Sequence, residues 1–191
     1  MKSLLIFLAA TSFFASATSW QLNPEQSSLN FISVKNSTVA EAHQFNNLSG
    51  TWSEQGTVNV TIPVTSLETH IPIRNQRVLD FVLKAKEYSQ VTATADIKPA
   101  IIDSLTIGKS TKITVPLALN IAGETLTVMA NIRVLKINAT SIQATTESPV
   151  MLNVDAAKLT AGVDKLQELA KLNSISKMVP VTFSVNFQTQ I

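Results

Sequence analysis

The sequence predicts an all-β protein. It reads as a single domain of roughly eight antiparallel strands closed into a barrel, with two amphipathic helices packed on it. Three observations carry this. Long segments alternate apolar and polar residues with period two, the mark of a strand with one dry and one wet face. Only two segments switch to helical spacing. No internal repeat or low-complexity linker divides the chain, whose 191 residues suit one domain once a leader is set aside. A two-sheet sandwich has the same alternation, so the pattern alone leaves barrel and sandwich both open.

The chain opens on a segment that reads as a leader. Lys2 gives a positive start, Leu4 to Phe14 form an apolar run, and Ala15-Ser16-Ala17 has the small-x-small form of a signal-peptidase site. Residues 1–17 are therefore read as a signal peptide, with the domain over residues 18–191. The run falls short of the roughly 20 apolar residues a spanning helix needs. No stable membrane insertion is expected after cleavage.

The strongest strands follow. Val58, Val60, Ile62 and Val64 alternate with Asn59, Thr61 and Pro63. Ile113, Val115, Leu117, Leu119 and Ile121 alternate with Thr114, Pro116, Ala118 and Asn120. Similar alternation runs from Leu126 to Val134 and from Val179 to Phe187. Such one-sided strands belong to antiparallel sheets. Pro116 falls mid-run and predicts a break or bulge. Weaker strands are read at Ser28 to Lys35, Leu48 to Ser53, Gln90 to Lys98, Ser104 to Ile107 and Ser141 to Glu147.

Two segments read as helices. In Arg74 to Lys86, Val78, Phe81, Val82 and Ala85 recur at helical spacing. In the second, Leu159, Val163, Leu166, Leu169 and Ala170 form an apolar stripe, with Asp155 expected as N-cap and Asn173 as C-cap.

Charge and composition exclude several classes. With Lys2 set aside, the 15 basic residues fall to 14, against 13 acidic ones. They are spread along the chain, so no basic stripe marks a nucleic-acid partner. There is no cysteine, hence no disulfide framework or thiolate chemistry. The histidines, His43 and His70, lie in no metal-ligand spacing and read as ordinary loop residues. No nucleophile elbow, phosphate loop or nucleotide fingerprint is present. Enzymatic activity is not expected, and no metal or catalytic site is assigned.

Glu68 to Arg77 stands apart, because it holds Arg74 and Arg77, two of only three arginines. It reads as a polar loop and first helical turn, or as a lip where a guanidinium fork meets a polar head group.

The ordered features of the mature chain resemble the YceI-like family. They begin with Trp20-Gln21-Leu22-Asn23-Pro24-Glu25-Gln26-Ser27-Ser28-Leu29-Asn30-Phe31 as an opening strand. Thr69-His70-Ile71-Pro72-Ile73-Arg74-Asn75-Gln76-Arg77 follows before a helix. Leu105-Thr106-Ile107-Gly108 is similar to a family hairpin, and the tail from Leu166 to Phe187 to an extended family form. The sequence departs where many members carry His, here Lys35-Asn36, and where many carry Tyr-Pro, here Tyr88-Ser89.

The resemblance implies a lipocalin-like, eight-stranded antiparallel β-barrel. It implies periplasmic, or alternatively secreted, binding and transport of a long isoprenoid, isoprenoid quinone or fatty acyl lipid. No cofactor is implied beyond such a bound isoprenoid or lipid, and a homodimer is among the family's states. Leu29, Phe31, Val58, Val60, Ile62, Val115, Leu117 and Leu119 are the candidate tunnel walls. Phe81 and Val82 are candidates to cap one end, and Arg74 and Arg77 to meet a head group. Each wall residue reads equally well as solid core, which is the alternative of a ligand-free structural or protein-interaction domain of the cell envelope.

Overall fold

The structure, a computed structural model, describes residues 19–189. The segment read as a signal peptide lies outside the described residues. Among the described residues, eleven strands form one antiparallel sheet: β1 (Trp20–Lys35), β2 (Val39–Phe45), β3 (Ser49–Trp52), β4 (Thr57–Pro63), β5 (Leu67–Glu68), β6 (Gln90–Asp96), β7 (Ser110–Ile121), β8 (Glu124–Asn138), β9 (Ser141–Thr146), β10 (Val150–Asn153) and β11 (Met178–Thr189). Neighbours run β1–β3–β4–β6–β7–β8–β9–β11, and β11 pairs back onto β1. These eight strands close a barrel, and that closure rules out the sandwich. β2 and β5 extend the wall beside β1, and β10 lies outside the ring on β11.

The closing ladder is long. Trp20 faces Thr189 at one end and Phe31 faces Val181 at the other, with a register shift between Asn23 and Ser28. The irregular stretch contains Pro24, which has no ladder donor to offer. The Ser27 hydroxyl donates to the Asn23 carbonyl at 2.6 Å and accepts the Asn186 amide at 3.0 Å. One side chain thereby satisfies backbone groups that the bulge takes out of register.

Strand β7 does not break at Pro116. Pro116 faces Met129 within an unbroken register against β8. What ends nearby is the β6 ladder, whose last pair is Thr94 with Ala118. At Pro116 the strand is paired on one side only, the edge setting in which proline is tolerated. The expected strand at Ser104 to Ile107 is instead a loop. Pro99 starts a short helix, α2 (Pro99–Asp103), and the residues after it only carry the chain into β7.

The first helix begins as α1 (Pro72–Arg77), with Pro72 in its first turn, and continues as a π-helical turn over Val78–Val82. The second helix, α3 (Thr160–Ala170), starts later than expected, with Leu159 at the N-cap. Asp155 instead accepts a hydrogen bond from the Thr160 hydroxyl. The helix ends at Lys171 in the left-handed region, at φ 51°, rather than at Asn173. No helix among the described residues is long and apolar enough to cross a membrane.

The α3 helix rests directly on the π turn. A Cβ on Gly162 would stand 2.2 Å from the Phe81 carbonyl oxygen and 2.9 Å from the Val82 Cα. Exposed-helix propensity alone would have Gly162→Ala stabilise by about 1 kcal/mol. The contact reverses that sign, since overpacking costs about 1–3 kcal/mol. Thermal unfolding of Gly162→Ala is therefore expected to give a lower midpoint than the parent protein, and a raised midpoint would mean that α3 does not seat on this turn.

Candidate functional site

The barrel encloses a cavity of about 600 Å³. Its wall is built from inward positions of successive strands. Val58, Val60 and Ile62 come from β4, Val115, Leu117 and Leu119 from β7, and Val181, Phe183 and Val185 from β11. One rung shows why the barrel does not fill itself. Val60 faces Ala93 and Ala93 faces Leu119 across three strands, so the central position carries a single methyl. Ala95 and Ala144 are similarly small wall residues. Trp52 and Phe187 also line the cavity, their rings meeting edge-on at 5.6 Å between centroids. Phe187 is fully buried and pairs with Leu22, near the start of β1 and far from the β1–β2 turn.

Polarity enters from the opposite direction. Along β1 the cavity-lining residues are Leu29, Phe31, Ser33 and Lys35; along β2 they are Phe45, His43 and Glu41. Each set has period two, so each lies on one strand face. Both sets change from apolar to charged toward the turn at Asn36 and Ser37, two residues with positive φ. The Phe31 ring lies 5.0 Å from His43 and 5.8 Å from Phe45.

The charged end is organised around Glu41. Its carboxylate accepts from Lys35 Nζ at 2.7 Å and from Arg74 at 2.9 Å. These contacts, that with Lys35 first, hold the Glu41 carboxyl below its ordinary range. Arg74 also donates to the Thr69 carbonyl at 2.5 Å. The loop beneath is braced in turn. Asn75 Oδ1 accepts from the Thr69 amide at 2.8 Å and the Thr69 hydroxyl at 2.5 Å, and Glu68 accepts from the His70 amide. Ile71 and Ile73 line the cavity while standing 42% and 58% exposed, which puts this segment at an opening.

Most predicted wall residues are brought together. Leu29, Phe31, Val58, Val60, Ile62, Val82, Val115, Leu117 and Leu119 line one cavity, and Arg74 and Arg77 lie on it too. Phe81 does not. It is 39% exposed and outside the wall. The reason is the π turn, whose extra residue shifts the helical phase, so that Val78, Val82 and Leu83 face inward instead. His43 is also not a loop residue: it lies in β2, 3% exposed, with Nε2 2.8 Å from the Ser33 hydroxyl. Glu41 and His43 escape the sequence reading because β2 breaks the apolar alternation with polar residues, and Lys35 because it is the charged end of the β1 run. The period-two run from Leu29 through Lys35 was the available signal.

Burial, and then the nearby Arg74 charge, push the His43 pKa down from 6.5 to about 4; Glu41 works against this. A group depressed in the folded state binds fewer protons there than when unfolded. Its effect is absent above pH 6.5, grows as pH falls toward 4, and is complete below that. Each unit is about 1.4 kcal/mol, so His43 is expected to cost the fold about 2 kcal/mol by pH 5. Urea unfolding of the parent and of His43→Gln from pH 8 to pH 5 checks this. The parent should lose more stability than the variant, and parallel curves would remove His43 as the cause.

Comparisons with known proteins bear on this architecture. The model of the YceI-like domain matches residues 20–187. No curated protein sequence matches the chain. Among solved structures, a polyisoprenoid-binding domain from Saccharophagus degradans implicated in plant cell wall breakdown is 31% identical, with a TM-score of 0.87 over 92% of this chain and 100% of that one. BcnA of Burkholderia cenocepacia, 21% identical, aligns with a TM-score of 0.67 over 86% of this chain and 98% of that one, a likeness of fold. Matched across nearly all of its described barrel, the chain belongs to the family of YceI-like domains.

Proposed function

We propose that this protein carries one long apolar chain, an isoprenoid, isoprenoid quinone or fatty acyl lipid, inside its barrel. The observation that carries this reading is the cavity itself, about 600 Å³ with an almost wholly apolar wall. That volume is in the range of small-molecule sites, roughly 300–1,000 Å³. The family relationship to a polyisoprenoid-binding domain points the same way. The leader-like residues 1–17 make the periplasm, or secretion, the proposed compartment. Binding and handing on, rather than turnover, is the proposed activity.

Energetics favour a long occupant. Burying a methylene gains about 0.8 kcal/mol, and association costs about 4–15 kcal/mol before any affinity appears. A chain of about eight carbons barely breaks even, whereas about twenty can reach micromolar binding. The chain is proposed to lie along the Val60, Leu117 and Leu119 wall toward Trp52 and Phe187, with its head end at Arg74 and Arg77.

Two measurements test this. Organic extraction of protein purified from its native compartment, followed by mass spectrometry, should yield a stoichiometric long-chain lipid. A clean extract from protein that also takes up no quinone or fatty acid would move the reading to a ligand-free interaction domain. Ala93→Phe should push a ring into the tunnel between Val60 and Leu119 and weaken binding of a C20 isoprenoid by at least about tenfold, roughly 1.4 kcal/mol. Unchanged affinity in a folded variant would place the ligand elsewhere.

A further inference from the structure

Single apolar side chains in water are ordinary, whereas an apolar patch rimmed by charge marks a contact surface. Ten large apolar residues stand exposed among the described residues, and of these only Ile71 and Ile73 also line the cavity. Ile71 is the N-cap of α1 and Ile73 lies in its first turn. The helix α1 buries none of its residues, so the barrel gives these isoleucines no core to enter. Nor is the segment loose. Arg74 donates to the Thr69 carbonyl, and Asn75 accepts from the Thr69 amide and hydroxyl. The isoleucines are held in the open by a braced loop, so a contact made there costs little ordering.

Three segments meet around them. Glu41 binds both Lys35 and Arg74, which ties the end of β1 to α1. The chain after α3 reaches the same end. Lys35 bridges to Ile175, the Asn36 amide donates to the Ser174 carbonyl at 2.9 Å, and Asn36 Oδ1 accepts the Asn173 amide at 2.9 Å. Ala170 and Leu172 line the cavity on either side of the exposed Lys171. The opening of the cavity is therefore rimmed by α1, the β1–β2 turn and the end of α3.

The rim is basic. The charged residues lining the cavity are Lys35, Arg74 and Arg77 against Glu41, an excess of two positive charges. Neighbouring charges cancel: Glu68 and Asp80 flank α1, and Lys84 and Lys171 follow the two helices. Arg77 is half-buried, and its side chain makes no hydrogen bond or ion pair among the described residues. Exposed apolar side chains beside basic ones are the chemistry of an interfacial membrane contact. The first enter the head-group layer, and the second are drawn to anionic lipid.

We propose that the mouth of the cavity docks on an anionic lipid bilayer, with Ile71 and Ile73 entering the head-group layer and Lys35, Arg74 and Arg77 facing the lipid phosphates. The inference goes beyond the carrier reading and gives the carried chain its path: the cavity opens where the protein meets the bilayer. The contact is peripheral, since no helix among the described residues is long and apolar enough to span.

The test is vesicle flotation of protein purified from its native compartment. One set of vesicles is phosphatidylcholine alone, and the other carries about 30% phosphatidylglycerol, a surface that attracts basic segments. The protein should float with the anionic vesicles at a lipid concentration at least about fivefold lower, the factor one basic residue near such a surface gives. Salt at about 0.5 M should remove most of that difference. Ile73→Glu, a change at a side chain already in water, should weaken flotation on the anionic vesicles by about tenfold or more. Arg77→Gln leaves no carboxylate unpaired and should weaken it severalfold on the anionic vesicles alone. No flotation on either set, with protein whose extract contains a long-chain lipid, overturns the inference and leaves the carrier reading intact. Flotation untouched by both variants, or equal on both sets of vesicles, overturns it as well. A dimer that Ile73→Glu dissolves, without flotation, overturns it in favour of a second copy at the mouth. Charge-dependent flotation that both variants weaken, in protein with a clean extract, supports the docking surface and counts against the carrier reading.

Discussion

The pairing of β11 onto β1 is the constraint on which everything else depends. Without it the sheet would be open, with unpaired edges and a single face to cover. With it, inward residues of eight strands converge on a common axis, and outer positions are left to water. An eight-stranded barrel is about wide enough for side chains to fill, or for one small ligand to enter. Side-chain size decides between these. Around Ile142 and Val134 the interior is packed, both being inaccessible to solvent. Where Val60, Ala93 and Leu119 share a rung it is not. The cavity is thus a consequence of closure combined with small residues at mid-height.

Much of the fold was legible in the sequence because hydrophobic burial imposes a period. The strands at Val58 to Val64, Ile113 to Ile121, Leu126 to Val134 and Val179 to Phe187 all exist, although in the last of them the polar parity is covered too, Asn186 being buried. The elements that escaped have some other reason for their shape. β2 places Glu41 and His43 on its inner face, so alternation reads it as polar. β5 and β10 are two and four residues long, too short for any period. The π turn is invisible to a helical wheel, because its extra residue changes the phase between Val78 and Val82, and this alone moved Phe81 off the wall.

The site was legible to the same degree and for the same reason. Apolar wall residues announce themselves by periodicity, and their convergence on one cavity needed only the barrel. The polar end did not, because it is assembled from Ser33 and Lys35 on β1, Glu41 and His43 on β2, and Arg74 on α1. These residues become neighbours through the β1–β2 turn and the loop carrying Thr69, not through spacing along the chain. Arg74 stood out as one of few arginines, whereas the groups that hold it had no sequence mark.

Those groups show what the polar cluster is for. Partly exposed ion pairs add little net stability, typically about 0–1 kcal/mol. Lys35, Glu41 and Arg74 are each 25–30% exposed at the side chain, so stability does not explain the cluster. What it does provide is position. Arg74 is anchored by the Glu41 carboxylate and the Thr69 carbonyl, and Thr69 is pinned by Asn75. The guanidinium donates from each of its terminal nitrogens, and its buried Nε is left without a partner. The imidazole of His43 is fixed the same way, by Ser33 on one nitrogen with the other unspent. Both side chains are immobilised at one end and unsatisfied at the other. That arrangement costs the protein free energy, because each buried nitrogen gives up its hydration without gaining a partner.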